Sequence, residues 1–177
     1  MTKPTQPVYD LKKIKEQAQH DIIDGSVTED YPLDLKEAHK LLNEALATEI
    51  MCVLRYRHHQ IIAQSIDGPQ VAAEFKEHGD DEVRHMMKIA ERINQLGGNP
   101  DFNPTTIAAR TATEYGRGTT LKELIEEDLV AERVAIMVYR KMIDWFGTKD
   151  STTRRMIEAI LKDEEDHADD LADLLVK

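Results

Sequence analysis

Four long runs of this sequence carry apolar residues at spacings of three and four, and a glutamate interrupts each run near its middle. Such spacings place side chains on one face of an α-helix. The interrupting residues are Glu49, Glu82, Glu132 and Glu164. A carboxylate buried alone costs roughly several kcal/mol, and four of them in one core would also repel one another. The pattern therefore predicts a helical bundle whose core holds a multivalent cation.

Capping residues and helix breakers delimit the four helices. An Asp or Thr followed three residues later by Glu opens the first and third helices, and Pro69 suits the first turn of the second. The predicted helices span residues 34–65, 69–96, 120–147 and 150–176. We expect an N-terminal extension over 1–32, with a helix around Leu11–Ile23, followed by a bundle over 33–177.

The connections between the helices define the topology. Short links after the first and third helices, the first of them Asp67-Gly68-Pro69, require antiparallel neighbours, whereas residues 97–119 are long enough to traverse the bundle. The fold class is therefore all-α, an antiparallel four-helix bundle with one long crossover between the second and third helices. A short helix is expected within Thr105–Glu114 of that crossover.

Composition restricts the partners and the compartment. The 177 residues suffice for one domain, and their formal charge of −11 disfavours nucleic acid and anionic membrane surfaces. Cys52 is the only cysteine, which excludes an intrachain disulfide and fits a reducing compartment. Without an apolar leader or a membrane span in the sequence, we expect a cytoplasmic protein.

A Glu-x-x-His motif occurs twice, as DEVRH at 81–85 and DEEDH at 163–167. Glutamate and histidine three positions apart share a helical face and can hold one ion between them. Two such pairs, with one glutamate on each of the other two helices, are typical of di-metal carboxylate bundles. Oxygen and imidazole donors suit iron or manganese. The predicted metal ligands and catalytic residues are Glu49, Glu82, His85, Glu132, Glu164 and His167.

An internal repeat supports this interpretation. Glu49 and Glu132 are 83 residues apart, and the two Glu-x-x-His motifs are 82 residues apart. Tyrosines follow seven residues after the single glutamates, and an aspartate precedes each motif. We expect these side chains to surround the ligands, with the aspartates orienting the histidine rings crosswise. The four residues are Tyr56, Tyr139, Asp81 (paired with His167) and Asp163 (paired with His85).

Three further positions remain ambiguous in the sequence. His78, one turn before Glu82, is either an additional ligand or a hydrogen-bonded core histidine. Cys52 fits a small buried residue better than a ligand. Glu77 and Asp81, four residues apart, form either a secondary cation site or a solvated helical face.

From about Leu33 to Leu175 these motifs resemble the ferritin-like superfamily, most closely bacterioferritins and bacterioferritin-like members of the Dps-like group. The resemblance implies a ferritin-like fold and a ferroxidase centre made of the six predicted ligands. In that centre Glu82 and Glu164 would bridge two irons. Glu49 with His85 would complete one ion, and the other would be completed by Glu132 and His167. The resemblance also implies two iron ions per subunit, oxidation of Fe²⁺ by O₂ or H₂O₂, and storage of ferric mineral in a protein cage.

The sequence departs from bacterioferritins in three places. Val83 stands where they carry a haem-ligating methionine, so haem is not expected. Only ten residues follow His167, too few for their fifth helix, and the crossover is of Dps-like length. We therefore expect a homo-oligomer of about 12 rather than 24 subunits. The conventional Dps site between subunits is not encoded in these helices.

The sequence is also compatible with three other functions. A di-metal oxygenase or a manganese catalase would use the same bundle, but would need an organic-substrate pocket or a manganese preference. A DNA-protecting Dps-like protein is a second alternative, which the formal charge of −11 disfavours. A metal-free structural bundle is the third.

Overall fold

The computed structural model describes residues 8–20, 22–66 and 68–176. In these ranges the chain forms six α-helices, a 3₁₀ turn at Ile22–Asp24, and no β-strand. The helices are α1 (Leu11–Gln17), α2 (Leu35–Ser65), α3 (Pro69–Gln95), α4 (Ile107–Arg110), α5 (Leu121–Phe146) and α6 (Ser151–Val176). The prediction of an all-α four-helix bundle is confirmed. The start of the predicted extension, residues 1–7, lies outside the described residues, as does Asp67 of the turn before α3.

Side-chain caps explain where the long helices begin. The Asp34 carboxylate accepts the backbone N–H groups of Lys36 and Glu37 at the start of α2. Thr120 and Glu123 form a reciprocal capping box at α5, in which each side chain accepts the backbone N–H of the other residue. These contacts satisfy backbone donors that have no partner inside the helix.

The N-terminal helix is shorter than predicted. It ends at Gln17 rather than near Ile23, and none of its residues is buried. A short helix without a packed face gains little stability in water, which explains its early end. Beyond it, Tyr31 anchors the segment by donating a hydrogen bond of 2.8 Å to Asp150.

The long helices pack as two hairpins, α2 with α3 and α5 with α6, joined face to face through the α2–α5 and α3–α6 contacts. The crossover returns along α2. The Asp101 backbone N–H donates to Asn43 Oδ1, the Ala112 N–H to Thr48 Oγ1, and Arg55 donates to the Glu114 carbonyl. The short helix expected in this segment is α4, which packs on α2.

The hydrophobic core has two parts, and the glutamates of α3, α5 and α6 lie between them along the chain. One part includes Leu42, Ile93, Phe146 and Ile160, and the other includes Phe75, Leu124 and Leu171. The core thus fixes all four helices on both sides of a charged layer. Within the described ranges, no helix has the length and apolarity that a membrane crossing requires.

Candidate metal centre

Each long helix places one glutamate in the middle of the bundle. The exposed fraction of these four residues is at most 1%, and the two histidines of the Glu-x-x-His motifs are similarly buried. Their helices are held from both sides by packed apolar residues, so the side chains converge without a flexible loop among them. The structure therefore brings together all six residues that the sequence singled out: Glu49, Glu82, His85, Glu132, Glu164 and His167.

The six side chains form two overlapping clusters. One contains Glu49, Glu82, His85 and Glu164, and in it one donor atom from each residue lies within 4.8 Å of the others. The second meets the same limit and is made of Glu82, Glu132, Glu164 and His167. Glu82 and Glu164 belong to both clusters, which is the geometry needed for carboxylates shared by two ions.

The Nδ1 atoms of both histidines face the carboxylates. His85 Nδ1 lies 3.3 Å from Glu164 Oε1 and 3.5 Å from Glu49 Oε2. His167 Nδ1 lies 3.3 Å from Glu164 Oε2 and 3.7 Å from Glu82 Oε1. A cation at the centre of each cluster would replace these contacts with ligand bonds.

Many of these donor atoms have no hydrogen bond of their own. Among the described residues, no hydrogen-bond partner exists for Nδ1 of His85 and His167, either oxygen of Glu82, or one oxygen of each of Glu49, Glu132 and Glu164. Buried polar atoms in proteins are normally paired, and unpaired ones are costly. Seven such atoms pointing at one another fit a site that binds cations.

The outer nitrogens of the two histidines contact the aspartates crosswise. His85 Nε2 lies 3.1 Å from Asp163 Oδ2, and His167 Nε2 lies 3.4 Å from Asp81 Oδ2. An aspartate that accepts the Nε2 proton leaves the Nδ1 lone pair free to face the glutamates. Each aspartate therefore orients the histidine of the other motif.

The tyrosines also pair crosswise. The Tyr139 hydroxyl of α5 donates to Glu49 on α2, and the Tyr56 hydroxyl of α2 donates to Glu132 on α5. Burial and the nearby Glu132 carboxylate raise the pKa of Tyr56 well above its usual value, so it remains a donor. In both glutamates the other oxygen is left to face the cluster.

The crowded carboxylates do not ionise together easily. Burial and the charges of Glu82 and Glu164 raise the pKa of both Glu49 and Glu132 well above the ordinary value. Burial opposes ionisation of Glu164 as well, but contacts with His167 and His85 outweigh it and lower that pKa to about 2.

The pKa of His85 is raised despite its burial, because Glu164, Glu49 and Glu82 surround it. The metal-free centre therefore favours protons on Glu49, Glu132 and His85 more strongly than water does. Binding of a cation would displace them.

The sequence pattern does not indicate a buried charge network that lies beside the centre. Arg55 Nε donates to Asp128 Oδ1 at 2.7 Å, and His59 Nδ1 lies 2.9 Å from Asp128 Oδ2. All three residues are fully buried. Through its second bond, from Nη1 to the Glu114 carbonyl at 2.8 Å, Arg55 ties the crossover to α2.

The ambiguous positions now have definite surroundings. His78 is buried, its Nδ1 lies 3.3 Å from the Tyr56 hydroxyl, and its ring stacks on His167 at a centroid distance of 4.1 Å. Burial and the nearby His167 lower the pKa of His78 to about 3.

Cys52 is buried, which raises the pKa of its thiol. Asp81 contacts Arg84 and His167, and no cluster of potential ligands in the described part of the chain includes Glu77.

Comparison with known proteins agrees with this fold. Residues 39–177 match the family model of the ferritin-like domain, and the chain therefore belongs to the ferritin-like family. A bacterioferritin of Mycobacterium avium is 31% identical over 140 residues, which cover 75% of this chain and 80% of that protein.

Two further proteins are similar to this chain, one of them by its solved structure. A protein of Synechococcus sp. named nutrient stress-induced DNA-binding protein is 29% identical over 139 residues, covering 76% of this chain and 78% of that protein. The solved structure of the bacterioferritin-related protein of Bacteroides fragilis, described as a dodecameric thioferritin, has a TM-score of 0.77 and 31% identity. That match covers 81% of this chain and 87% of the other.

Proposed function

We propose that the chain is a ferroxidase, which oxidises Fe²⁺ with O₂ or H₂O₂ at an intrasubunit di-iron centre and stores the ferric product as mineral in a protein cage. The observation that carries the proposal is the membership of Glu82 and Glu164 in both four-residue clusters. Two Fe²⁺ ions held by shared carboxylates can deliver their electrons to one oxidant.

The protein's part in this reaction is to hold the substrate ions close together. Glu49 and His85 would complete one position, and Glu132 and His167 the other, with the two shared glutamates between them. Hydrogen bonds from Tyr139 and Tyr56 hold the unshared glutamates in place. We propose two iron ions per chain, one for each cluster. We propose no haem, because Val83 offers neither a thioether nor an imidazole as a ligand.

Proton displacement accompanies loading of the centre. Glu49, Glu132 and His85 favour their protonated forms when their neighbours are charged carboxylates. An arriving cation reverses that preference by supplying the opposite charge. Protonation thus reduces the negative charge of the empty site, which makes four glutamates more tolerable in a buried core.

The alternative of an oxygenase finds less support. An organic substrate would need a pocket that reaches the ions. Three cavities in the described parts of the chain have none of the six centre residues in their lining. One borders Tyr31, one lies between His58 and Tyr115, and one lies between Thr113 and Val130. The buried centre is better suited to small reactants, namely metal ions and O₂ or H₂O₂.

The first test is stoichiometric. Titration of the metal-free protein with Fe²⁺ under argon is expected to reach tight saturation at about two ions per chain, since six ligands form two overlapping sites. Quantification of bound iron after rapid desalting measures this number. Saturation at one ion, or none, would contradict the dinuclear proposal.

We also propose that the chain assembles into a closed shell of about 12 subunits. A helix within the crossover, α4, supports this number, and the Bacteroides fragilis relative is described as dodecameric. Native mass spectrometry is expected to show a mass near that of 12 chains. A mass near 24 chains would contradict the number, and a monomer would contradict the shell.

The Synechococcus relative is named as DNA-binding, but the formal charge of −11 disfavours phosphate contacts and we propose no DNA role.

A further inference from the structure

A third group of potential metal ligands lies on α3 and α6, separate from the six residues of the centre. Glu74 and His78 are four positions apart on one face of α3, and Asp170 reaches them from α6. One donor atom from each of the three lies within 4.8 Å of the others. His78 is buried, Glu74 is half-buried and Asp170 is exposed, so the group has a dry side and a side open to water.

The hydrogen bonds of His78 determine which of its nitrogens faces this group. Tyr56 uses its only hydroxyl proton on Glu132, and its oxygen can therefore only accept from His78. The proton of a neutral His78 ring thus lies on Nδ1, 3.3 Å from that oxygen, and the lone pair lies on Nε2. His78 is only 2% exposed, so water does not readily reach this lone pair.

The Nε2 atom of His78 lies close to carboxylate oxygens of two residues. It lies 3.3 Å from Glu74 Oε1 and 3.8 Å from Asp170 Oδ2. No residue in the described part of the chain forms a hydrogen bond with this nitrogen. A buried lone pair that faces two carboxylates is unfavourable unless a cation lies between them.

We propose that Glu74, His78 and Asp170 form a third cation site, which binds a divalent first-row transition ion. Two carboxylate oxygens and one imidazole nitrogen suit Mn²⁺, Fe²⁺, Co²⁺ or Zn²⁺, and two negative ligands match a double positive charge. Water completes the coordination on the side of Asp170. With three protein donors, one of them exposed, the site is weaker than the two positions of the centre.

The third site adjoins the dinuclear centre without sharing a ligand with it. His78 stacks on His167 and hydrogen-bonds Tyr56, which in turn holds Glu132. An ion on Nε2 fixes the tautomer that donates to Tyr56. The proposal concerns binding alone, and it stands whether or not the centre oxidises iron.

The test places Co²⁺ in crystals and follows one exposed ligand. Metal-free crystals soaked with Co²⁺ under argon are expected to show a separate anomalous peak among Glu74, His78 and Asp170, beside those at the centre. In Asp170→Asn this separate peak is lost and the centre peaks remain. The matched control, Asp169→Asn, removes the same charge from the next residue of α6, which is also exposed, and retains every peak.

Equilibrium dialysis against excess Co²⁺ gives the same answer in solution. Asp170→Asn is expected to retain one ion fewer per chain than wild type, and Asp169→Asn as many as wild type. The proposal is overturned if wild-type crystals lack the separate peak, or if Asp170→Asn retains the peak or the full number of ions. Because the readout counts ions, a failed ferroxidase assay would not affect it, and loss of the centre peaks alone would contradict only the proposed function.

Discussion

Replacing Glu164 with alanine is expected to abolish rapid Fe²⁺ oxidation, lowering the initial rate by at least about 100-fold. Glu164 supplies a donor atom to both clusters and lies 3.3 Å from Nδ1 of each histidine. Its removal therefore takes one ligand from each ion, whereas loss of an unshared glutamate would affect one ion. Stopped-flow absorbance of ferric product after mixing with Fe²⁺ in aerobic buffer measures the rate.

The neighbouring residue provides a matched control. Glu165 is exposed on the same helix and forms an ion pair with Arg140 outside the centre. Glu165→Ala removes the same chemical group and is expected to oxidise Fe²⁺ at nearly the wild-type rate. A Glu164→Ala variant that also retained the wild-type rate would show that Glu164 is a buried carboxylate without a role in iron oxidation. That result would contradict the proposed site.

Thermal melting separates this loss of function from a loss of fold. In the metal-free protein the Glu164 charge disfavours ionisation of Glu49 and Glu132, so its removal lowers the free-energy cost of ionising them in the folded state. The deleted volume and the lost histidine contacts act in the opposite direction, at about 1–3 kcal/mol if the site collapses poorly. Metal-free Glu164→Ala should therefore melt near wild type. Addition of Fe²⁺ under argon should raise the melting temperature of wild type more than that of Glu164→Ala, which has lost a ligand from each position of the centre.

The sequence was informative about the bundle because its signals are local. The first long helix, predicted over 34–65, is α2 at Leu35–Ser65, and a capping aspartate marks its start in both. Burial of several glutamates on otherwise apolar helical faces is unfavourable unless a cation neutralises them, so the pattern indicates a shared cation site. The duplicated motif added the crosswise aspartate contacts, since two equivalent halves of a bundle present equivalent faces to each other.

The buried network around Asp128 could not be predicted from the apolar pattern of the helices. On α5 the apolar pattern selects Leu129 as the inward residue, yet Leu129 is half-buried and the adjacent Asp128 is fully buried. At 3.6 residues per turn the two positions are about 100° apart, so both can border one broad inward face, and hydrophobicity favours the leucine. Asp128 is buried because Arg55, 73 positions earlier, neutralises it. No local pattern reports such a partner, nor the path of the crossover that Arg55 holds.

Removal of Asp128 is expected to cause the second large effect, on stability. Asp128→Ala leaves the Arg55 guanidinium buried without its charge partner, which costs about 3–5 kcal/mol of unfolding free energy. Urea denaturation of the metal-free protein, followed by circular dichroism, measures the loss. Asp144→Ala, at an exposed position of the same helix, is the matched control and should change stability by less than about 0.5 kcal/mol. Equal stabilities of the two variants would contradict a structural role for the pair.

A double variant tests whether the cost arises from an unpaired charge rather than from lost volume. In Arg55→Met/Asp128→Leu both charges are replaced by apolar side chains, so no unpaired ion remains in the core. The double variant should therefore be more stable than Asp128→Ala, although it still lacks the bond from Arg55 to the Glu114 carbonyl and the carboxylate that faces His59. Recovery is thus expected to be partial. The single variants Arg55→Met and Asp128→Leu complete the cycle. If their losses simply add in the double variant, the two residues act independently, and the buried pair is not what holds the crossover against α2.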